Sequence, residues 1–447
     1  MAFKAQIQTV KADFLDPSLY EDAGLAGVPR LSRGTVLGAL SRAFDLGEGR
    51  KSGHAQRVAY IGVYLASEVG LEPARIEDVY FGCLLHDVGM AVMEPVTPPV
   101  SRLVQGWGNA IGPVDRVKPA PPAGWSEVIE AIARHCETGA DVARRMGFGE
   151  SVARAVLTHH DCWDGSGRPG AGSGEQTPLV GRIVALADRF ESLLDAEAPP
   201  LALRRNGPRL LREMAGRELD PDLAERMAAI ASRDEFWLGL YDNDLGAGLM
   251  ALNYGGVMGR DELFELLGVI SDVIDVRNGR SEGSGRRIAE LARRVALYCD
   301  MTERRADLVK VATLLHDIGT LGVPARFLRK PDILSVDEMS AVQMHPIYAR
   351  DILGEIPGFG AAAWWVGCHH ERIDGKGYPG MLEGAEVPVE AQIIGMCETY
   401  DALTNDRPYR RAQPRSEAFE ILRGLAGNRF DTHLLARFES VVGPFDA

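Results

Sequence analysis

Apolar residues recur at intervals of three and four along most of the chain, and strand-like alternation is nearly absent. Segments such as ARIEDVYFGCLLHDVG, ERRADLVKVATLLHDIG and LVGRIVALADRFESLL show this spacing, which gives an α-helix one continuous apolar face. Ala, Leu, Arg and Glu, which favour helix, dominate these segments. The pattern predicts an all-α protein built of helical bundles.

The chain contains an internal repeat whose motifs follow the same order in both halves. CLLHDVG at 83–89 recurs as TLLHDIG at 313–319, a shift of 230 residues. HHDCWDGSG at 159–167 recurs as HHERIDGKG at 369–377, a shift of 210 residues. The repeat therefore predicts two tandem bundles, with about 20 extra residues between these motifs in the first copy.

The repeat also predicts the domain boundaries. We expect an N-terminal extension at 1–30, a first domain at 31–240, a linker at 241–260 and a second domain at 261–447. The extra residues of the first copy lie in 94–125, a stretch rich in Pro and Gly that lacks helical periodicity and is predicted to be a long loop. Such a loop is either a lid or binding segment, or an insertion without structure of its own.

Composition excludes several classes of protein. The net charge of -14 argues against binding to bulk nucleic acid but not against a small phosphorylated ligand. No apolar run reaches the roughly 18 residues of a membrane span, and the N-terminus lacks the apolar core of a secretory signal. The six cysteines show no CxxC spacing and are interpreted as free thiols. We therefore expect a cytoplasmic protein.

Nine of the ten histidines fall on the repeated motifs. The first copy holds His54, His86, His135, His159 and His160, and the second holds His316, His345, His369 and His370. Imidazole together with carboxylate suits Zn, Mn, Fe and similar ions. With Asp87 and Asp188 the first copy offers more ligands than one ion needs, which predicts a two-metal cluster. Two ions about 3.5–4 Å apart can polarise a phosphoryl group and activate water.

The order His, His-Asp, His, His-His, Asp, followed by a DGxG turn, resembles the HD superfamily and its HD-GYP branch, and this resemblance covers nearly the whole chain twice. It implies that one metal is held by His54, His86, Asp87 and Asp188, and the second by Asp87, His135, His159 and His160. It further implies two divalent cations per active domain, Fe or Mn, with His86 and Asp87 as the catalytic residues. The implied substrate is cyclic di-GMP or a related cyclic dinucleotide, and signalling proteins are candidate partners.

The first copy departs from the family pattern around its substrate loop. The GYP triplet is replaced by Gly167, Arg168 and Pro169. The lysine that follows HDxG in the family is Met90 here and Thr320 in the second copy. Arg168 either restores part of the lost positive charge at the substrate or lies on the surface.

The second copy keeps the family loop but loses metal ligands. Its candidate substrate-binding residues are Gly377, Tyr378, Pro379 and Arg407. Alignment of the two copies sets Ser284 at the position of His54, and serine is a poor ligand for these ions. Glu398 replaces the late Asp and can still coordinate. The remaining candidate ligands are His316, Asp317, His345, His369, His370 and Glu398.

The favoured hypothesis is a metal-dependent cyclic dinucleotide phosphodiesterase with its chemistry in the first copy and a regulatory second copy. The alternative for the second copy is a domain that only covers the hydrophobic face of the first copy. A non-catalytic module that binds a nucleotide or a protein is the competing hypothesis for the whole chain. A di-iron oxygenase that uses the same ligands is a third, against which the repeat and the GYP loop argue.

Overall fold

A computed structural model describes residues 31–48, 52–93, 125–167, 170–194, 200–406 and 411–443. Within these residues the chain is helical, with isolated β-bridges but no strand, so the all-α prediction is confirmed. Among them, no helix combines the length and apolar character that a bilayer crossing requires. The chain divides into an N-terminal unit, Ser32–Val257, and a C-terminal unit formed by Met258–Ala447 together with Leu31, the first of the described residues.

The N-terminal unit contains ten described α-helices. They are α1 (Arg33–Glu48), α2 (His54–Val69), α3 (Pro73–Leu85), α4 (Trp125–Arg145), α5 (Glu150–Thr158), α6 (Leu179–Leu194), α7 (Pro200–Met214), α8 (Pro221–Ile230), α9 (Asp234–Leu240) and α10 (Leu245–Met250). A 3-10 helix, Val88–Ala91, follows α3. Helix α2 packs against α3 and α6, and α4 packs against α5 and this 3-10 helix.

The C-terminal unit also contains ten described α-helices. They are α11 (Arg260–Arg277), α12 (Ser284–Tyr298), α13 (Glu303–Leu315), α14 (Ala325–Leu328), α15 (Val336–Val342), α16 (His345–Gly354), α17 (Gly360–Gly367), α18 (Val389–Thr404), α19 (Arg415–Leu425) and α20 (Thr432–Val442). A 3-10 helix, Ile318–Gly322, follows α13. Helix α12 packs against α13 and α18, and α16 packs against α17 and the 3-10 helix.

The two units share one element order, which explains the repeat in the sequence. Helices α1, α2 and α3 correspond to α11, α12 and α13, and each third helix is followed by a 3-10 helix. One difference lies at the next element, since α4 is continuous through His135, whereas the C-terminal unit has two helices with α16 beginning at His345. Pro346 at the start of α16 suits the first turn of a helix but not its interior.

The boundary between the units, after Val257, lies within the predicted linker at 241–260. The segment up to Val257 belongs to the N-terminal unit and contains α10, which packs against α1. Leu249 is buried, and the Tyr254 ring lies 5.0 Å from that of Tyr80. These apolar contacts hold the segment to the bundle although its Gly and Asn residues are typical of turns. The predicted extension at 1–30 and nearly all of the predicted loop at 94–125 lie outside the described residues.

A buried carboxylate fixes the start of α2, the helix that begins with His54. Gly53 precedes it in the left-handed region at φ 84°, which favours glycine. Asp45 of α1 accepts hydrogen bonds from the backbone amides of Gly53 at 2.7 Å and Ala55 at 3.1 Å. Because helix N-terminal amides favour negative charge, Asp45 caps α2 from a neighbouring helix and fixes the position of His54.

Candidate metal centre

Five elements of the N-terminal unit bring the seven predicted ligands together. His54 is the first residue of α2, and His86 and Asp87 directly follow α3. His135 lies within α4, the pair His159 and His160 directly follows α5, and Asp188 lies within α6. All except the half-buried His160 are buried. The seven side chains meet in one interior space although they come from a helix start, from helix interiors and from residues after helix ends.

Asp87 lies between two groups of imidazoles and directs one oxygen toward each. Its Oδ2 lies 3.2 Å from His86 Nε2, on the side of His54. Its Oδ1 lies 3.4 Å from both His135 Nε2 and His159 Nε2. On the first side, Asp188 Oδ1 lies 3.6 Å from His54 Nε2 and 3.7 Å from His86 Nε2. This arrangement suits a carboxylate that bridges two cations.

The proton positions on the imidazoles show that the cluster fits metal ions. His86 Nδ1 lies 2.7 Å from the carbonyl oxygen of Cys83, and His54 Nδ1 lies 2.6 Å from Glu191 Oε2. Since a carbonyl or carboxylate oxygen only accepts, both Nδ1 atoms carry protons, which leaves the two Nε2 atoms directed at the cluster. These two Nε2 atoms face each other at 3.3 Å, a separation that either a shared proton or a cation bound by both rings can accommodate.

The electrostatics of the N-terminal cluster lead to the same conclusion. Burial alone would lower the pKa of His86, but the charges and hydrogen bonds of Asp87 and Asp188 outweigh burial and hold its pKa well above the usual value. Against the same effect of burial, Cys136 and Asp87 raise the pKa of His135 to about 9 and that of His159 to about 10. The cluster therefore attracts positive charge, which either protons or metal ions supply.

The C-terminal cluster repeats part of this geometry. Asp317 Oδ2 lies 3.4 Å from His316 Nε2, and Asp317 Oδ1 lies 3.5 Å from His345 Nε2. His345 Nε2 and His369 Nε2 face each other at 3.3 Å. The electrostatics differ from the first cluster, because burial, together with the charge of Arg280, lowers the pKa of His316 to about 4 and that of His345 to about 3.

The sequence profile of the HD domain matches residues 120–223 and 268–434, which together cover more than half of the chain. The chain belongs to the HD domain family. The family predicted from the order of the motifs is therefore confirmed. This HD protein resembles the 3'3'-cGAMP-specific phosphodiesterase 3 of Vibrio cholerae, with 28% identity over 86% of this chain and 89% of the relative. It is 24% identical to the 3'3'-cGAMP-specific phosphodiesterase 1 of the same organism, over 83% of this chain and 82% of that protein.

Two further comparisons bear on the fold and on the substrate class. The crystal structure of a cyclic GMP-AMP specific phosphodiesterase from Vibrio cholerae aligns with a TM-score of 0.62 at 25% identity, covering 92% of this chain and 98% of that chain. The cyclic di-GMP phosphodiesterase of Thermotoga maritima is 32% identical, but over only 40% of this HD protein and 49% of its own length. Relatives similar over nearly the whole chain are thus named for cyclic GMP-AMP.

The candidate substrate-binding residues are divided between the units. Tyr378 lies in the C-terminal unit, where its ring stacks on His370 with centroids 4.8 Å apart, and the GYP loop therefore borders the C-terminal cluster. Thr320, at the position of the family lysine, is buried and donates to Asn278 Oδ1 at 3.0 Å. Arg168 and Arg407 lie outside the described residues.

Sequence reasoning missed a residue that supports His54. Glu191 is buried on α6, one helical turn beyond Asp188; its Oε2 accepts from His54, and its Oε1 accepts from Arg57 Nε at 2.7 Å. The equivalent residue of the C-terminal unit is Asp401, which accepts from Ser284 Oγ at 2.8 Å. An acidic residue three positions after each late ligand is the signal in the sequence that could have identified Glu191.

A thiol also borders the N-terminal cluster. Cys136 Sγ lies 3.6 Å from His135 Nε2 and 4.0 Å from His159 Nδ1. Burial alone would raise its pKa, but the charges of His135 and His159 outweigh burial and lower the pKa to about 6. All six cysteines are free, as their spacing predicted.

We expect the Glu191→Gln substitution to weaken metal binding by the N-terminal unit. The neutral amide orients the His54 ring less strongly and makes its Nε2 a weaker electron-pair donor to a metal. Loss of such supporting groups typically reduces metal affinity by about 10–100-fold. Competition titration of Mn(II) against a chelator measures this affinity. The matched control is Asp401→Asn in the C-terminal unit, which should leave the N-terminal affinity unchanged. Equal affinities in Glu191→Gln and the parent protein would refute the role of Glu191.

Proposed function

We propose that this protein is a metal-dependent phosphodiesterase that hydrolyses a cyclic dinucleotide in its N-terminal unit. The observation that carries the proposal is the position of Asp87, whose two oxygens face two separate groups of imidazoles. In this proposal His54, His86 and Asp188 complete one cation site with Asp87, and His135, His159 and His160 complete the other. Fe or Mn suits this mixture of imidazole and carboxylate. The C-terminal unit is regulatory, and the protein acts in the cytoplasm.

The reaction adds water to phosphorus and breaks one ester P–O bond. Two bound divalent cations supply the Lewis acidity and the activation of water for this step. The chain's own residues hold the site in place: Arg57 and Glu191 orient His54, and the carbonyl oxygen of Cys83 orients His86. The burial of Asp87 and His86 limits competing water around the ligands.

We propose 3'3'-cyclic GMP-AMP as the first substrate to test. The two relatives that cover more than four-fifths of this chain are named for that dinucleotide, whereas the cyclic di-GMP phosphodiesterase of Thermotoga maritima covers only 40% of it. A second candidate function is binding of a cyclic dinucleotide without hydrolysis. Met90 and Thr320 favour that alternative, because neither unit supplies the lysine that follows HDxG in the family.

We expect the anaerobically prepared, Mn(II)- or Fe(II)-loaded protein to convert 3'3'-cyclic GMP-AMP, cyclic di-GMP or both into linear dinucleotides, measured by chromatography of the products. The His86→Ala substitution removes one ligand of one cation and should lower kcat by about 10²-fold. The matched substitution His316→Ala in the C-terminal unit should keep most of the activity. If the metal-loaded protein turned over no cyclic dinucleotide but still bound one in calorimetry, the protein would be a binding module and not an enzyme.

A further inference from the structure

One side of the C-terminal cluster keeps the donor set of a cation site. His345 Nδ1 and His369 Nδ1 lie 2.7 and 2.5 Å from backbone carbonyl oxygens, so both rings carry their protons on Nδ1. Their Nε2 lone pairs face each other at 3.3 Å, and Asp317 Oδ1 is directed toward them. This side has the donor set for one divalent cation, to which His370 adds a third imidazole.

The opposite side of Asp317 has lost the ligand that begins α12. Ser284 occupies the position of His54, and its hydroxyl donates to Asp401 instead of pointing at the cluster. Arg287 donates to Ser284 Oγ at 3.0 Å, which satisfies the serine further. His316, Asp317 and Glu398 remain as candidate ligands on this side, with atoms within 4.8 Å of one another.

A guanidinium contacts this side of the cluster. Arg280 lies in the loop between α11 and α12, and its Nη2 forms an ion pair with Asp317 Oδ2. That oxygen also faces His316, so it corresponds to the Asp87 oxygen that faces His86 in the N-terminal unit. The Arg280 side chain is only 11% exposed, and its backbone amide donates to the Asp275 carbonyl oxygen at 2.8 Å. Arg280 is therefore held within the cluster.

We infer that Arg280 serves as a built-in cation of the C-terminal cluster and excludes a divalent metal from the side formed by His316, Asp317 and Glu398. Arginine keeps its charge at all physiological pH values, so it neutralises Asp317 permanently. A metal ion on that side would have to displace an ion pair that is already buried, and it would gain no imidazole from α12 in return. The C-terminal unit then holds at most one divalent cation, beside His345, His369 and His370.

Arg280 takes this role in the C-terminal cluster whether or not that unit is catalytic. The repeat places Arg50 at the equivalent position of the first copy, outside the described residues. In that copy His54 occupies the position where the second copy has Ser284, so the first side of the N-terminal cluster has an imidazole ligand that the C-terminal cluster lacks.

The experiment compares the Mn(II) content of full-length parent and Arg280→Ala proteins after loading and desalting, measured by mass spectrometry of the metal. We expect Arg280→Ala to bind about one more Mn(II) per chain than the parent, since His316, Asp317 and Glu398 become available. Arg287→Ala is the matched control, because it removes a neighbouring guanidinium that does not contact Asp317, and it should bind no additional ion. We also expect the Tm of Arg280→Ala to fall in chelator and to recover with Mn(II), because binding to the folded state stabilises it.

Two results would overturn the inference. One is an equal Mn(II) content in the parent and in Arg280→Ala, with circular dichroism showing both folded. The other is an equal gain in Arg280→Ala and Arg287→Ala, because loss of any nearby positive charge would then suffice. If Arg280→Ala does not fold, Arg280→Gln tests the same point, since it keeps a polar contact to Asp317 without the charge and should show the same gain.

Discussion

The Asp87→Asn substitution is expected to lower kcat for cyclic dinucleotide hydrolysis by about 10³-fold or more, because both cations lose a ligand and the rate enhancement depends on them. Asp87 is the one residue of the N-terminal cluster whose oxygens face both groups of imidazoles. Asparagine has nearly the same shape but no negative charge, and its amide nitrogen cannot coordinate a metal. Steady-state kinetics together with the Mn(II) content of the variant measure both consequences.

The equivalent substitution Asp317→Asn provides the control for the location of the chemistry. It removes the same kind of carboxylate from the C-terminal cluster, where Arg280 already pairs with it. We expect this variant to keep its turnover within about tenfold of the parent, because Asp317 belongs to the other unit and shares no ligand with the N-terminal cluster. If Asp317→Asn abolished turnover while Asp87→Asn kept it, the chemistry would belong to the C-terminal unit.

The amino-acid sequence was sufficient to predict the helical class, the repeat and the convergence of the N-terminal ligands. Histidines are rare in this chain, and nearly all of them fall on the repeated motifs. The apolar residues beside these motifs follow helical spacing, which indicates that the motifs face the interior of one bundle. The boundary after Val257 falls inside the predicted linker at 241–260. The packing of 241–257 onto the N-terminal unit was not predicted, because α10 spans only Leu245–Met250 and has too few residues to show helical periodicity.

Two side chains of the clusters were not predicted, because their roles depend on contacts distant in sequence. Glu191 supports His54 across 137 residues, and its mark in the sequence is the acidic residue Asp401 at the equivalent position of the second copy. Arg280 lies in a short polar loop that indicates only a turn in the sequence, and its pairing with Asp317 follows from the packing of α11, α12 and α13. Contacts between residues distant in sequence therefore decide the surroundings of two clusters that have similar motifs.

We expect the Gly89→Ala substitution to destabilise the N-terminal unit by about 3 kcal/mol and to disrupt its metal centre, because overpacking against rigid groups costs roughly this much. Gly89 lies in the turn after His86 and Asp87, and a Cβ there would be 2.0 Å from the His135 carbonyl oxygen and 2.8 Å from the Gly139 amide nitrogen. Both neighbours are backbone atoms of α4, so no side-chain rotation can relieve the clash. The helix that carries His135 would have to move away from Asp87. Denaturant unfolding and the Mn(II) content of the variant measure the two effects.

The Gly248→Ala substitution is the matched control in the same unit. Gly248 lies within α10, and a Cβ there would meet nothing within 4 Å. Alanine favours helix over glycine by about 1 kcal/mol, so this variant should be as stable as the parent or more stable, and should bind Mn(II) normally. The comparison separates the cost of crowding His135 from the general effect of replacing a glycine. Gly89→Ala could instead be as stable as Gly248→Ala and take up the same amount of Mn(II). Asp87 and His135 would then be positioned by something other than the close approach of the HDxG turn to α4.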